Sequence, residues 1–224
     1  MSKVSYEQSG PAAVLTITRR ERRNAVDDET AELLRDGLER FEADPEARAL
    51  VLTGDGPEAF CAGADLKAIA ERGAQLEGGD PAAAVDSWLD AKPDGPLGFT
   101  RLEATKPTIA AISGWCLAGG LELALWCDLR VASTDARLGL TERRFGVPLI
   151  DGGTQRLPRV VGMGRALELI LTGRVVEADE ALAWGLVTEV VPAGRALERA
   201  LEVAAGLAAF PQETMLSDRR AALE

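Results

Sequence analysis

P-T-I-A-A-I-S-G-W-C-L-A-G-G-L-E-L-A-L-W-C-D, residues 107–128, is the stretch of sequence that decides the fold. The β-branched run at 108–112 predicts a buried strand, Ser113-Gly114 predicts a turn, and 121–126 predicts a helix that begins at two glycines. A strand, a glycine-rich turn and a helix N-terminus aim free backbone N–H groups at one point. Glu122, the one charged residue between Pro107 and Asp128, follows Gly119 by about one helical turn. Such a donor beside a carboxylate in apolar surroundings suits oxyanion stabilisation and proton transfer.

Two simpler interpretations compete for the same stretch. A transmembrane helix would explain its apolar character, but Ser-Gly, Gly-Gly and a glutamate in mid-span argue against one. A core strand followed by a core helix, with Glu122 in a structural ion pair, stays open on these residues alone.

The composition limits the classes of function. The chain has 224 residues, a net charge of −11 and no histidine. The acidic balance argues against nucleic-acid binding. Without histidine, Ser-His-Asp and Cys-His triads and His-ligated metals are excluded, so proton transfer falls mainly to carboxylates and no metal site is predicted. Three cysteines without C-x-x-C spacing and a first segment unlike a signal peptide predict a cytoplasmic protein.

The first third of the chain predicts a hairpin, a basic loop and a second glycine-turn motif. Strands at 4–9 and 12–18 flank Gly10-Pro11, and Asp27 or Asp28 caps a helix ending at Asp44-Pro45. The arginines between 19 and 23 suit either a solvated loop or a cradle for phosphates. A buried strand at 48–53 feeds the turn at 54–67, where Asp65 is a good N-cap and the N–H of Ala64 is a second candidate oxyanion donor. A plain capped helix explains this turn equally well.

The rest of the chain alternates strands and helices, which predicts the α/β class. Residues 71–100 predict a helical patch between glycine-proline turns, suited to a mobile flap. Further strands are predicted at 128–133 and 186–191, and helices at 164–171, 177–184 and 195–208.

Five motifs resemble those of the crotonase (enoyl-CoA hydratase/isomerase) superfamily, in order and over essentially the whole chain. They are R-R-E-R-R-N-A-V at 19–26, F-C-A-G-A-D-L-K at 60–67, A-G-G-L-E-L-A-L-W-C-D at 118–128, G-G-T-Q-R-L-P-R-V-V-G at 152–162 and L-T-G-R-V-V-E-A-D-E-A-L-A-W-G-L-V at 171–187. The resemblance implies a spiral of ββα units over 1–190 and a helical C-terminal segment, 191–224, shorter than the family's. It also implies a homotrimer or dimer of trimers, which the shortened segment would weaken.

The resemblance further implies an acyl-CoA thioester substrate and no separate cofactor. The thioester oxygen would lie between the N–H groups of Ala64 and Gly119. The two glutamates that hold the attacking water in the hydratases match Glu122 and, in the G-x-x-E-x-x-x-G segment at 139–146, Glu142. Glu122 would activate water and Glu142 would protonate the α-carbon. The stretches that bind CoA match Arg22, Arg23, Ala62, Asp65, Leu66 and Lys67.

The sequence departs from the family pattern near the second glutamate. Arg143 and Arg144 follow Glu142 where hydratases carry apolar residues, and this predicts an ionised Glu142 of lowered pKa. Asp151 precedes Gly-Gly and is predicted to be a structural turn residue. The favoured function is enoyl-CoA hydratase; a Δ3,Δ2-enoyl-CoA isomerase and a non-catalytic acyl-CoA-binding protein are the alternatives.

Overall fold

The structure is a computed structural model that describes residues 2–68 and 91–224. The helices are α1 (Asp28–Ala43), α2 (Gly119–Trp126), α3 (Gly153–Val161), α4 (Met163–Thr172), α5 (Ala178–Ala183), α6 (Ala196–Ala208) and α7 (Gln212–Leu223), with 3-10 turns at Arg20–Arg22 and Glu142–Phe145. The strands are β1 (Val4–Ser9), β2 (Ala12–Ile17), β3 (Ala49–Gly54), β4 (Ala59–Cys61), β5 (Thr108–Ile112), β6 (Trp115–Leu117), β7 (Leu129–Ser133), β8 (Arg137–Gly139), β9 (Val175–Glu177) and β10 (Glu189–Val191). Most of the predicted flap at 71–100 lies outside the described residues.

The strands form two sheets, and the chain moves from one to the other. The larger has the order β1-β2-β3-β5-β7-β10 and the smaller the order β4-β6-β8-β9. After the antiparallel β1-β2 hairpin, β2, β3, β5, β7 and β10 pair in parallel. Each of β3, β5 and β7 is followed by a strand of the smaller sheet, namely β4, β6 and β8. This alternation is the spiral of ββα units, so the predicted fold class is confirmed.

The larger sheet and its helices match the sequence-based expectations. The Asp27 carboxylate caps α1 by accepting a 2.9 Å hydrogen bond from the Thr30 N–H, as the sequence predicts. β3 and β5 are the short apolar strands expected at 48–53 and 108–112. α6 packs on a face of this sheet through Ala196, Ala200 and Ala204. Small side chains on both surfaces let the helix lie close to the strands. The predicted division of the chain at residue 190 stays a prediction.

The residue pattern alone does not predict the strands of the smaller sheet, which only the resemblance to a spiral of ββα units implies. Each of its strands is three residues long, too short to show alternation or a β-branched run. Helix α3 was also missed, since Pro158 stands inside it and a proline normally indicates a helix end. Helix α7 lies in the C-terminal segment, 191–224, that the family resemblance predicts to be helical; the residue pattern alone does not indicate it, because its residues are all at least partly exposed and show no apolar stripe.

Several positions require glycine because another backbone segment lies where a Cβ atom would be. A Cβ atom added to Gly120 would lie 2.1 Å from the carbonyl oxygen of Cys61. Gly206 in α6 is exposed, and an added Cβ there would meet nothing within 4 Å. The two glycines therefore form a matched pair for measuring the contribution of this backbone contact.

We expect Gly120→Ala to destabilise the protein by about 1–3 kcal/mol or more, because the backbone of β4 must shift to admit the methyl group. Gly206→Ala should be neutral or stabilising by up to about 1 kcal/mol, since alanine is the better helix former. Urea-induced unfolding of both variants measures the difference. Equal free energies of unfolding for the two would contradict the close approach of α2 to β4.

Candidate active site

The predicted site residues lie just after three neighbouring strands of the smaller sheet. β4 pairs in parallel with β6, and β6 with β8. The carboxyl ends of parallel strands lie at one edge of a sheet. Ala64 follows β4, Gly119 follows β6 and Glu142 follows β8. The topology therefore brings together residues that are far apart in the sequence.

The backbones that carry the two predicted oxyanion donors are in direct contact. A Cβ atom added to Gly63 would lie 2.9 Å from the Gly119 nitrogen, and one added to Gly119 would lie 3.7 Å from the Ala64 nitrogen. Within residues 2–68 and 91–224, neither the Ala64 nor the Gly119 N–H donates a backbone hydrogen bond. Ala118, which precedes the donor on α2, has φ 54° and ψ −131°, a conformation that L-residues rarely adopt. Strain of this kind concentrates at functional sites.

Glu122 is buried in α2, with 2% of its surface exposed. Its Oε1 accepts hydrogen bonds from the backbone N–H of Asp151 at 3.1 Å and of Gly153 at 2.7 Å. Burial, followed by the charge of Asp151 and more weakly that of Glu142, raises its pKa to about 8, although the N–H bonds oppose the shift. The expectation that burial raises the pKa of Glu122 is confirmed, and the rise favours the protonated form of the carboxyl group.

Glu142 is buried at the start of a 3-10 turn, and neither of its carboxylate oxygens has a hydrogen-bond partner among the described residues. Burial raises its pKa to about 7, aided by Asp151 and opposed by the dipole of its own backbone N–H and by Arg143. The prediction that Arg143 and Arg144 hold Glu142 ionised is therefore wrong. Both arginines are exposed. Successive side chains of a 3-10 turn diverge by about 120°, so Glu142 faces inward while the arginines face solvent.

Asp151 is a third buried carboxylate, with 3% of its surface exposed. Its Oδ1 accepts a 3.1 Å hydrogen bond from the Leu97 N–H and a hydrogen bond from the Thr100 hydroxyl. Gly152, with φ 98°, makes the turn that the sequence predicts here. The sequence indicates the turn but not the burial of the side chain, because Asp before Gly-Gly is equally common in exposed turns.

The basic loop predicted to bind CoA phosphates is divided between interior and surface. Arg19 is buried, and its Nη2 lies 3.0 Å from Asp27 Oδ2 and 2.9 Å from Asp65 Oδ2. Asp65 Oδ1 accepts from the Lys67 N–H at 3.1 Å, which confirms it as an N-cap. Burial opposes ionisation of Asp65, but the Arg19 hydrogen bond and a backbone N–H lower its pKa below the usual value. Arg19 and the Asp65 carboxylate thus join the two loops.

The remaining residues predicted to bind CoA lie close to this buried ion pair. Arg22, Arg23, Leu66 and Lys67 are exposed, and Arg23 forms a 3.0 Å ion pair with the exposed Glu58. The Ala62 N–H donates to the Arg23 carbonyl at 3.0 Å, so the two stretches are adjacent. Their adjacency agrees with one extended binding surface, and the roles of Arg22, Arg23, Ala62, Asp65, Leu66 and Lys67 in CoA binding stay predictions.

The raised pKa of Glu122 makes stability depend on pH with a definite sign. The folded-state pKa of about 8 exceeds the value of about 4.3 expected for the unfolded chain, so the folded state binds more protons between these values. Stability should therefore fall as pH rises through this window. Glu122→Gln keeps an acceptor for the two N–H groups, cannot ionise, and should gain stability relative to wild type by a few kcal/mol between about pH 5 and pH 9.

Chemical unfolding at pH 5.5, 7 and 9 measures this relative gain. Glu202→Gln on the exposed surface of α6 is the control and should parallel wild type at every pH. A Glu122→Gln curve that also parallels wild type would show that Glu122 does not have the raised pKa.

Comparison with known proteins shows which protein family the chain resembles. Residues 7–218 match the family model for enoyl-CoA hydratase/isomerase. The chain is 39% identical to a short-chain-enoyl-CoA hydratase of Clostridium acetobutylicum, covering 91% of this chain and 74% of that protein. It is 36% identical to a crotonyl-CoA hydratase of Syntrophomonas wolfei, covering 99% of this chain and 81% of that protein.

Solved structures of related proteins are also similar to this chain. A carnitinyl-CoA dehydratase from Mycobacterium avium 104 is 40% identical with a TM-score of 0.88, covering 99% of this chain and 82% of that one. None of the helices in the described part of this chain has the length and apolar character needed to cross a membrane. With a family model matched over most of its length and similar relatives covered over more than two thirds of theirs, the chain belongs to the enoyl-CoA hydratase/isomerase family.

Proposed function

We propose that the protein is an enoyl-CoA hydratase that adds water across the double bond of a 2-enoyl-CoA thioester. The observation that carries the proposal is the pair of buried carboxyl groups, Glu122 and Glu142, on the connections that follow the neighbouring strands β6 and β8. An isomerase needs one base and no water, whereas a hydratase has use for both groups. Relatives named as short-chain-enoyl-CoA and crotonyl-CoA hydratases support the hydratase over the isomerase.

In the proposed reaction the N–H groups of Ala64 and Gly119 bind the thioester oxygen. Addition of water at C3 places negative charge on this oxygen as the enolate forms. A preorganised donor to such an oxyanion typically contributes about 3 kcal/mol to lowering the barrier. The two backbones are already in contact and the N–H groups carry no backbone hydrogen bond in the described structure, so reorganisation would cost little when the charge develops.

One glutamate takes a proton from the attacking water and the other gives a proton to C2. The pKa values of about 8 for Glu122 and about 7 for Glu142 let the pair hold one proton near neutral pH. The family resemblance assigns water activation to Glu122 and protonation of C2 to Glu142, whereas the order of the two pKa values favours the proton on Glu122. Because interacting groups share their titration, this order does not fix the roles.

The proposal also covers how the CoA moiety binds, whether a cofactor takes part and where the enzyme is located. Arg22, Arg23, Leu66 and Lys67 would lie along the CoA, and CoA would enter as part of the substrate. We propose no metal or redox cofactor, because the additions of hydroxide and proton balance without electron transfer. The expected cytoplasmic location is retained as part of the proposal.

We expect Glu122→Gln and Glu142→Gln each to lower kcat on crotonyl-CoA by on the order of a hundredfold or more, since each removes a group that transfers a proton. The double variant should cost much less than the product of the two single effects, because the groups act as a unit. Loss of the absorbance of the conjugated thioester measures turnover. Acyl-CoA binding, measured by calorimetry, should survive all three changes because the backbone donors remain.

The alternatives give different outcomes in the same assays. Glu202→Gln, on the surface of α6, is the control and should keep wild-type activity. Near-full activity of Glu142→Gln with an inactive Glu122→Gln would favour a one-base isomerase. Binding of acyl-CoA without turnover of any 2-enoyl-CoA by the wild type would identify a non-catalytic binding protein.

We further propose that the protein assembles as a homotrimer, or a dimer of such trimers. Exposed apolar side chains support an assembly surface: Met163, Leu167 and Leu171 follow one another at four-residue spacing along α4, and Phe145 lies in the 3-10 turn that α4 contacts. An exposed apolar cluster of this kind indicates a protein contact.

Sedimentation over a range of concentrations should show a trimer, and Leu171→Lys should shift it toward monomer by placing a charge in the contact. Glu202→Gln should leave the assembly unchanged. A strict monomer at high concentration would contradict the proposal.

A further inference from the structure

The segment at 95–101 forms a wall of the site beside the Gly119 donor. Leu97 is 2% exposed, and a Cβ atom added to Gly119 would lie 2.7 Å from Leu97 Cδ1. Two glycines with positive φ, Gly95 at 111° and Gly98 at 105°, shape the backbone on either side of Leu97. A shift of this segment would therefore change the space directly next to the predicted oxyanion donor.

The Asp151 side chain holds this segment in place. Its carboxylate accepts from the Leu97 N–H at 3.1 Å and from the Thr100 hydroxyl. The guanidinium of Arg156 completes the contact, with Nη2 donating to the Thr100 carbonyl at 2.5 Å and Nη1 donating to the Asp151 carbonyl at 2.8 Å. Charge-assisted hydrogen bonds of this kind are stronger than neutral ones, and they join the wall to the turn at Asp151.

The main chain of the same residue holds Glu122. The Asp151 N–H donates to Glu122 Oε1 at 3.1 Å, beside the 2.7 Å bond from Gly153. One residue thus connects a proposed catalytic carboxyl group with the wall beside the proposed oxyanion donor.

We propose that Asp151 is a positioning residue of the hydration reaction, which orients Glu122 through its N–H, fixes Leu97 beside Gly119 through its side chain, and places a negative charge facing both glutamates. The proposal rests on the proposed hydratase function and adds to it a third carboxylate that does not itself exchange protons with the substrate.

The charges around the two glutamates determine in which direction Asp151 shifts their pKa values. Glu122 faces Asp151, Glu142 and the guanidinium of Arg156. Asp151 and, at the surface, Arg143 lie near enough to Glu142 to influence its pKa. Asp151 raises the pKa of both glutamates, so it favours keeping a proton on the pair.

Burial raises the pKa of Asp151 above its usual value, although the Thr100 and Leu97 hydrogen bonds and the charges of Arg101 and Arg156 favour the ionised form and offset part of that shift. Removing the Asp151 charge should therefore lower the pKa of both glutamates, and the pair should lose its last proton at a lower pH.

The test compares Asp151→Asn with Thr100→Val. Asparagine keeps an acceptor oxygen for Leu97 and Thr100 but removes the carboxyl group, whereas valine at position 100 removes one hydrogen bond and keeps the carboxyl group. The pH dependence of kcat/KM on crotonyl-CoA is measured for both. Asp151→Asn should move the alkaline limb to lower pH by about half a unit or more, and Thr100→Val should lower activity without moving that limb downward.

A second readout does not depend on activity. In protein labelled with ¹³C at the glutamate carboxyl, the resonance that titrates near pH 8 is assigned to Glu122 by its loss in Glu122→Gln. Its midpoint should fall in Asp151→Asn and hold in Thr100→Val. If Asp151→Asn is too unstable to titrate, Asp151→Ser carries the same measurement, because it also keeps an acceptor oxygen and lacks the charge.

The outcomes separate the two proposals. A wild-type protein that hydrates no 2-enoyl-CoA removes the proposed function, while the midpoint shift still decides whether Asp151 controls Glu122. A midpoint and an alkaline limb that stay unchanged in Asp151→Asn, with a loss of activity or stability equal to that of Thr100→Val, would reduce Asp151 to a structural residue and overturn the inference.

Discussion

The contact between the backbone after β4 and the backbone after β6 is the constraint on which the site depends. Gly63 and Gly119 approach so closely that a Cβ atom on Gly63 would lie 2.9 Å from the Gly119 nitrogen. Gly120 packs on the Cys61 carbonyl in the same way. Side chains at these positions would separate the strands and move the Ala64 and Gly119 N–H groups apart. The glycines therefore serve close packing as much as turn formation.

Whereas the close-packed glycines stabilise the fold, the buried carboxyl groups act against its stability. Burying an ionised group without a partner is costly, and a protein usually avoids it by pairing or by protonation. Glu122 accepts two backbone N–H bonds and Asp151 is held by Leu97 and Thr100, whereas Glu142 has no partner in the described structure. Retaining such a group opposes stability, which is typical of a site selected for chemistry.

The sequence predicts the larger sheet well because its strands are apolar runs between clear turns, and it predicts α1 because Asp27 begins the helix. The three-residue strands of the smaller sheet have no period to detect, so their pairing becomes visible only in three dimensions. Arg19 illustrates a second limit: within a run of arginines, the sequence does not distinguish the one buried against Asp27 and Asp65 from its exposed neighbours. The same applies to Glu142, because the direction of a side chain in a single 3-10 turn depends on packing.

The spiral explains why chemistry gathers at one edge of the smaller sheet. The turns that begin at β3, β5 and β7 each add one strand to each sheet, and a connection follows each strand of the smaller sheet. Three successive turns end at Ala64, at Gly119 with Glu122, and at Glu142. Any one connection can change without breaking the sheets, so the fold alone does not determine the reaction. Asp151 follows the third turn and forms hydrogen bonds both with Glu122 and with the 95–101 segment. It therefore links connections that the sheets hold in place only one at a time.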